Sequence, residues 1–194
     1  MSHYHHDSAL KPYPITIQSR GVTLTLLSSP GMFSKDQLDR GTALLIDAAE
    51  LRPHMRVLDL ACGNGVVGLV LETVEPTLDT WLTDVTTKAV TLTTENAKRL
   101  GLGVHVKQGD CYEGVAHERF DLILVNPPRA AGKATIAKMI NEAPEHLTEG
   151  GVLLLVAMTN KGGASYEAMM EETFGNVTKA ARGSGFSVYK SVHE

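Results

Sequence analysis

Hydrophobic residues alternate with polar ones near the start of the chain and then gather into short continuous runs. Residues 15–17 and 22–26 alternate with a period of two on either side of Gly21, a pattern typical of a β-hairpin. From residue 56 onward, short apolar runs suited to buried strands alternate with stretches of helical periodicity. The runs predict strands over residues 57–60, 78–83, 104–106, 120–125 and 152–158.

The stretches between these runs predict helices and a closing hairpin. The predicted helices cover residues 41–50, 66–71, 86–100, 135–147 and 165–174. Gly101 stops the third of them, and Pro144 is expected either to kink the fourth or to begin a new turn. The pair Gly150-Gly151 leads into the strand over 152–158, residues 160–163 form a loop, and residues 177–181 and 186–189 form the last hairpin.

Alternating strands and helices are typical of an α/β fold with a doubly wound, mostly parallel sheet. The last hairpin adds antiparallel pairing at one edge of that sheet, and the first hairpin is an N-terminal extension. At 194 residues the chain is expected to be a single domain, 1–194. Within it, residues 1–11 form a His-rich disordered tail, 12–50 the hairpin and first helix, and 51–194 the cofactor-binding and catalytic core.

Composition excludes several classes of protein. The net charge of −4 argues against a large non-specific nucleic-acid surface but allows a local basic rim. Cys62 and Cys111 lack CxxC spacing, so we expect reduced thiols, no disulfide and no metal site. The apolar runs are too short to span a bilayer, and no export signal is visible. We therefore expect a cytoplasmic protein with no membrane partner.

A glycine turn follows the strand over 57–60 and precedes the next helix. The spacing Gly63-x-Gly65-x-x-Gly68 fits a nucleotide-binding loop, and Asp84 follows Gly63 by 21 residues, where an acid can accept both hydroxyls of a ribose. Asp59 lies inside the strand, where a carboxylate is costly to bury. Two carboxylates repel a pyrophosphate but suit a cation. S-adenosylmethionine, which carries an ammonium, a sulfonium and a ribose, fits this pattern.

Asn126-Pro127-Pro128 ends the strand over 120–125 and indicates an acceptor for an amino group. The Asn126 side-chain oxygen and the Pro127 carbonyl can together hold both N–H groups of an exocyclic amine. This aligns the nitrogen for in-line methyl transfer and stabilises the positive charge that develops on it. Because the proton can leave after transfer, no strong general base is required.

The chain resembles the small-domain family of class I S-adenosylmethionine-dependent methyltransferases, which includes small-subunit ribosomal RNA guanine-N2 methyltransferases. The segments that carry the resemblance are Gly31-Met-Phe-Ser34, Leu38-Asp39-x-Gly41-Thr42, Asp59 to Gly65, Asn126-Pro-Pro-x-x-Ala131-Gly132-Lys133, Lys161-x-Gly-Ala164, Phe174-Gly-Asn-Val177 and Gly185 to Lys190. The resemblance implies a seven-stranded Rossmann-like methyltransferase sheet, S-adenosylmethionine as cofactor, and RNA as partner, with guanine N2 in small-subunit ribosomal RNA as the target.

The candidate site residues follow from these motifs. Asn126, Pro127 and Pro128 are the catalytic candidates. The cofactor-binding candidates are Asp59, Ala61, Cys62, Gly63, Gly65, Asp84, Val85, Asp110, Cys111 and Asn126, with Asp110 accepting from an adenine amino group. The substrate-binding candidates are Phe33, Arg129, Lys133 and Lys161. Many relatives have an aromatic residue where this chain has Arg129, and Phe33 is a candidate for the missing ring.

Other functions fit part of the pattern. A nicotinamide-dependent oxidoreductase shares the glycine spacing but leaves Asp59 and Asn126-Pro-Pro unexplained. A non-catalytic ribosome-binding factor leaves the intact Asn126-Pro127-Pro128 unexplained. Among methyltransferases, transfer RNA, DNA adenine, a protein glutamine amide and a small molecule stay open as targets. The sequence leaves open the target nucleotide, the oligomeric state, and whether free RNA or an assembled subunit is the substrate.

Overall fold

A computed structural model describes residues 11–30, 38–128 and 131–194 of the chain. The candidate substrate residues Phe33 and Arg129, and the predicted tail before Lys11, lie outside the described residues. In chain order the strands are β1 Tyr13–Ser19, β2 Val22–Ser28, β3 Arg56–Leu60, β4 Asp79–Asp84, β5 His105–Gln108, β6 Phe120–Val125, β7 Leu147–Met158, β8 Thr178–Gly183 and β9 Phe186–Val192. The helices are α1 Arg40–Ala48, α2 Val66–Val74, α3 Thr87–Leu100, α4 Lys133–Asn141 and α5 Ala164–Phe174.

The described strands form a seven-stranded sheet in the order β5-β4-β3-β6-β7-β9-β8 and a separate two-stranded hairpin, β1-β2. Strands β3 to β7 pair in parallel, whereas β9 pairs antiparallel with both β7 and β8. The predicted α/β fold, with its antiparallel C-terminal edge and N-terminal hairpin, is confirmed. The division into one domain stays a prediction.

Helices cover both faces of the sheet because the central strands are apolar on both sides. On one face α1, α2 and the hairpin pack on a core that includes Val57 and Leu124. On the other face α4 packs on a core that includes Leu58 and Ile123. All four side chains are fully buried, as expected for parallel strands covered by helices on both sides.

The N-terminal hairpin is tied to the glycine turn by a buried amide on α3. Asn96 Oδ1 accepts a hydrogen bond from the Leu27 amide at 2.7 Å. Asn96 Nδ2 donates to the Leu27 carbonyl and to the Asn64 carbonyl, both at 3.0 Å. One side chain therefore holds β2 and the turn before α2 in fixed positions, with its buried polar atoms paired.

The structure decides between the two expectations at Pro144 in favour of a new turn, and it corrects the end of the predicted helix. The predicted helix over 135–147 is α4 followed by a short 3₁₀ turn, Ala143–His146, which contains Pro144, and Leu147 already belongs to β7. Gly150-Gly151 lies inside β7 instead of leading into it. Leu147 pairs with Phe120 of β6, and the register shifts before Leu122 pairs with Val152. The pairing with β6, which is distant in sequence, determines where β7 begins. Local periodicity cannot predict such a pairing.

The segment after β7 also differs from the prediction. Residues 159–163, predicted from 160 onward as a loop, form a wide helical turn before α5, interrupted at Lys161 and Gly162, where φ is −135° and 90°. Among the described residues, no helix is both long enough and apolar enough to cross a membrane.

Replacement of Gly68 by alanine should destabilise the fold, because α2 lies very close to the sheet at this residue. A Cβ at Gly68 would lie 2.7 Å from Leu82 Cδ2 and 3.3 Å from Asp59 Cβ. We expect Gly68→Ala to lower the free energy of unfolding by about 1–3 kcal/mol, the usual range for overpacking a core. Chemical denaturation measures the effect, with Gly103→Ala as the control, since a Cβ there meets nothing within 4 Å. Equal stability of the two variants would contradict the tight contact.

Candidate active site

The carboxyl ends of β3, β4 and β6 lie side by side and open onto a cavity of about 830 Å³. A ligand-sized cavity at this edge is expected of an open parallel sheet. Eleven of the candidate catalytic and cofactor-binding residues line the cavity, namely Asp59, Ala61, Cys62, Gly63, Asp84, Val85, Asp110, Cys111, Asn126, Pro127 and Pro128. Of the catalytic and cofactor-binding candidates only Gly65 lies outside the cavity wall, although the role of each residue stays a prediction.

The glycine turn has the tight geometry that its spacing predicts. Gly65, with φ at 84°, is the residue before α2, and a Cβ there would lie 2.8 Å from Thr93 Cγ2. The Gly65 amide donates to the Cys62 carbonyl at 2.8 Å, and the Thr93 hydroxyl donates to the Gly63 carbonyl at 2.9 Å. Gly65 thus shapes the turn from behind, while Gly63 faces the cavity.

Asp59 is a carboxylate buried at the base of the cavity. It is 2% exposed, and Oδ2 accepts the Gly68 amide at 2.9 Å. Burial raises the pKa of Asp59 to about 7, opposed by the Gly68 hydrogen bond and increased further by the nearby Asp84 charge. Burial of a carboxyl group in this way lowers the stability of the folded protein. Such perturbed carboxyl groups are typical of ligand-binding sites.

Asp84 connects the glycine turn to the start of α3. Its Oδ2 accepts the Gly63 amide at 3.0 Å, and its Oδ1 accepts both the amide and the hydroxyl of Thr86 at 2.9 Å. A carboxylate has about four acceptor positions, so these bonds leave one for a ligand hydroxyl in this arrangement. For Asp84 to accept both ribose hydroxyls, as the sequence predicts, one of these internal bonds must give way.

Besides Asp84, the cavity wall contains an apolar residue, Val85, and a further acidic residue, Asp110. Val85 directly follows β4 and is 59% exposed although its side chain is apolar. Asp110 also lines the cavity, after the neighbouring strand β5, and pairs with Lys138 Nζ at 3.0 Å. This hydrogen bond lowers the pKa of Asp110, with a smaller contribution from the Cys111 thiol. An exposed apolar side chain and a carboxylate in the same cavity suit a flat heterocycle with an amino group.

The two cysteines lie in the cavity wall as protonated thiols. Burial raises the pKa of Cys62 well above its usual value and the pKa of Cys111 to about 12, where the Asp110 charge also contributes. Neither thiol is therefore activated as a nucleophile. No group of three or more His, Cys, Asp or Glu side chains within residues 11–30, 38–128 and 131–194 could hold a metal ion.

Asn126 and Pro127 also line the cavity, after β6, the neighbour of the strand that precedes the glycine turn. Asn126 directly follows β6, and Asn126 Nδ2 donates to Thr42 Oγ1 on α1 at 2.8 Å. With its nitrogen engaged, the side-chain oxygen of Asn126 remains as the acceptor for a ligand in the cavity that Asn126 lines.

The two lysines predicted for substrate binding do not line the cavity. Lys133 begins α4, which follows β6, and Lys161 lies in the turn after β7, so both follow the carboxyl ends of parallel strands. Both are exposed, and neither forms an ion pair with the residues that the structure describes. The structure therefore places both lysines beyond the sheet edge on which the cavity opens, but not in the cavity wall.

Sequence reasoning missed several residues of the cavity wall. Asp39, Thr42, Thr83, Thr86, Ala131, Thr135 and Met139 all line it. Two of the motifs quoted above contain Asp39, Thr42 and Ala131, and these motifs were available as a signal. The other four residues carry no pattern of their own.

The whole-chain comparison now identifies the family. The sequence model of the methyltransferase small domain matches residues 23–190, which include most of β2, the residues that line the cavity and most of β9. The chain belongs to the methyltransferase small domain family. The resemblance inferred from the motifs is thus confirmed.

Two relatives show how much of the chain the family relationship covers. Ribosomal RNA small subunit methyltransferase C of Hamiltonella defensa subsp. Acyrthosiphon pisum is 37% identical over 166 residues, which are 84% of this chain and 48% of that protein. Uncharacterized protein YbxB of Bacillus subtilis is 34% identical over 176 residues, which are 89% of this chain and 87% of YbxB. The chain thus spans about half the length of the first relative and most of the second.

The fold also matches a solved structure of this kind. The T. thermophilus 16S rRNA N2 methyltransferase RsmC, in complex with AdoMet and guanosine, superposes with a TM-score of 0.84 at 24% identity. The match covers 94% of this chain and 51% of that one. At this identity the match shows the shared Rossmann-like fold.

The buried carboxyl of Asp59 predicts a pH dependence of stability. Its folded pKa of about 7 lies above the unfolded value of 3.8, so its contribution to stability is full below about pH 4 and is lost as pH rises to 7. Asp59→Asn should remove this loss, and its stability relative to wild type should rise by on the order of 1–4 kcal/mol from pH 4 to pH 8.

Denaturation at several pH values, without ligand, measures this difference. Asp47→Asn is the matched control, since it makes the same change of charge on an exposed part of α1. A constant difference between Asp59→Asn and wild type from pH 4 to pH 8 would show that the Asp59 carboxyl is not strained by burial.

Proposed function

We propose that this chain is an S-adenosylmethionine-dependent methyltransferase that methylates an exocyclic amino group, most specifically N2 of a guanine in small-subunit ribosomal RNA. One observation carries the proposal: Asp59 and Asp84 line the same cavity as Asn126 and Pro127, at the adjacent ends of β4, β3 and β6. A site for a cationic nucleoside and an acceptor for an amine therefore share one space, as methyl transfer between them requires.

The residues present fit the cofactor. The buried Asp59 suits an ammonium group, the remaining acceptor position of Asp84 suits a ribose hydroxyl, and Val85 with Asp110 suits an adenine ring. When bound, S-adenosylmethionine supplies an electrophilic methyl group on a positively charged sulfur. The same carboxylates disfavour a pyrophosphate, and membership of a methyltransferase family removes the reason for an oxidoreductase.

The chemistry expected of the chain itself is the placement of a weak nucleophile. The nitrogen of a ring-conjugated amine has a delocalised lone pair. Asn126 Oδ1 and the Pro127 carbonyl are the acceptors that hold its two N–H groups. Because both oxygens carry partial negative charge, they also stabilise the cation that forms as the carbon–nitrogen bond forms. The two prolines fix the direction of the carbonyl at little entropic cost.

The base and the class of RNA come from the named relatives. One curated relative is a ribosomal RNA small subunit methyltransferase, and the structural match is a 16S rRNA N2 methyltransferase. Lys133 and Lys161 near the rim, with Arg129 as a further candidate, are the cations we assign to the phosphates. The base must be unpaired or flipped out for its amine to enter the cavity. DNA adenine, transfer RNA, a protein amide and a small molecule are the alternatives, and the cytoplasmic location stays a prediction.

Methyl transfer to defined substrates tests the proposal. The protein is incubated with labelled S-adenosylmethionine and with protein-free ribosomal RNA, assembled small subunits or transfer RNA, and the RNA is then digested to nucleosides. We expect label in N2-methylguanosine from a ribosomal substrate. Asn126→Ala should lower turnover by on the order of 100-fold or more, with little change in affinity for S-adenosylhomocysteine.

Asn141→Ala is the matched control, because Asn141 is exposed at the far end of α4 and its oxygen accepts only the Thr173 hydroxyl among the described contacts. Label that appears only in adenosine, transfer RNA or protein would overturn the assignment of guanine. Normal turnover of Asn126→Ala would remove Asn126 from the mechanism.

A further inference from the structure

The segment from Asp39 to Thr42 begins α1 and also contributes to the cavity wall. Asp39 caps α1, since its Oδ1 accepts the amides of Gly41 at 2.8 Å and Thr42 at 3.3 Å. A Cβ at Gly41 would lie 2.9 Å from the ring of Phe186, so glycine lets this first turn lie directly against β9. Both features hold the first turn of α1 at a fixed place beside the carboxyl end of β6.

A chain of hydrogen bonds leads from this cap to the cavity. The Thr42 hydroxyl donates to the second oxygen of the Asp39 carboxylate. The same hydroxyl oxygen accepts from Asn126 Nδ2 at 2.8 Å, which joins residues 84 positions apart. Thr42 is fully buried, and all three side chains line the cavity.

The chemistry of the three groups fixes the direction of every bond. A carboxylate only accepts, so the single hydroxyl hydrogen of Thr42 goes to Asp39. The hydroxyl then offers only lone pairs, and Asn126 must present its NH₂ group to it. The opposite orientation would place the Asn126 oxygen against the lone pairs of Thr42 and its NH₂ group against the N–H groups of an amine in the cavity.

We propose that Thr42 and Asp39 are positioning residues that hold the Asn126 amide with its oxygen toward the acceptor amine. This inference rests on the proposed function, because it assumes that Asn126 receives an amine. These hydrogen bonds lead to the negative charge of Asp39, and each bond polarises the next. They therefore also make the Asn126 oxygen a better acceptor. That effect matters most when positive charge develops on the amine.

Removal of the Thr42 hydroxyl tests the inference. Thr42→Val keeps the shape of the side chain and the backbone cap, but it breaks both hydrogen bonds of the hydroxyl. At saturating cofactor and RNA we expect kcat to fall about 10-fold or more, the scale for losing one buried hydrogen-bond partner. The dissociation constant for S-adenosylhomocysteine should be unchanged, and Thr42→Ser, which keeps the hydroxyl, should restore kcat.

Thr80→Val is the matched control for lost stability. The Thr80 hydroxyl also donates to a buried carboxylate, Glu72, at 2.6 Å, but neither residue lines the cavity. We expect Thr80→Val to lower stability and leave kcat as in wild type. Equal losses of kcat in Thr80→Val and Thr42→Val, or no rescue by serine, would overturn the inference in favour of a purely structural role.

A second measurement does not depend on activity. In the ¹⁵N-labelled protein without ligand, the Asn126 side-chain amide signal is assigned by its absence in Asn126→Ala. Its hydrogen exchange should be slow in wild type and in Thr42→Ser and much faster in Thr42→Val. Slow exchange in Thr42→Val would overturn the inference. If wild type transfers no methyl group to RNA but this exchange pattern holds, the proposed function fails and the positioning of Asn126 stands.

Discussion

The hydrogen bond from the Gly68 amide to the buried Asp59 carboxylate fixes where α2 lies on the sheet, and the candidate active site follows from that placement. Only a residue without a side chain lets the helix approach Leu82 and Asp59 so closely. The turn before the helix is then short, and its backbone faces the carboxyl ends of the neighbouring strands. Burial raises the pKa of this carboxyl group, so the same interaction organises the fold and places an acidic group in the cavity wall.

The positions of the catalytic candidates follow from the direction of the strands. Parallel strands place their carboxyl ends at one edge, so Asp59, Asp84 and Asn126 come together although they are far apart in sequence. The N-terminal segment completes this edge from outside the sheet. Asn96 holds the hairpin against the glycine turn, and α1 carries Thr42 to Asn126. Helix α1 thus contributes to the cavity wall, whereas the hairpin supports the glycine turn from outside the cavity.

Sequence reasoning predicted the elements whose signals are local. The hairpin around Gly21, the helix that ends at Gly101 and the apolar strand before Asn126 are as expected, because turn chemistry and periodicity act within a few residues. The end of the helix before β7 was predicted wrongly, since a turn begins at Ala143 and the pairing of Leu147 with Phe120 makes Leu147 the start of a strand. The contact between Thr42 and Asn126 was missed for the same reason: it depends on how α1 docks on the sheet, which no local pattern encodes.

The arrangement of acceptors around the target amine is the central claim. A crystal structure of the protein with S-adenosylhomocysteine and guanosine tests it most directly. The account predicts that the guanine exocyclic nitrogen lies about 2.7–3.2 Å from Asn126 Oδ1 and from the Pro127 carbonyl oxygen, with Asn126 Nδ2 still bonded to Thr42. A guanine amine outside this reach, or an Asn126 side chain turned away from the amine in the complex, would contradict the account.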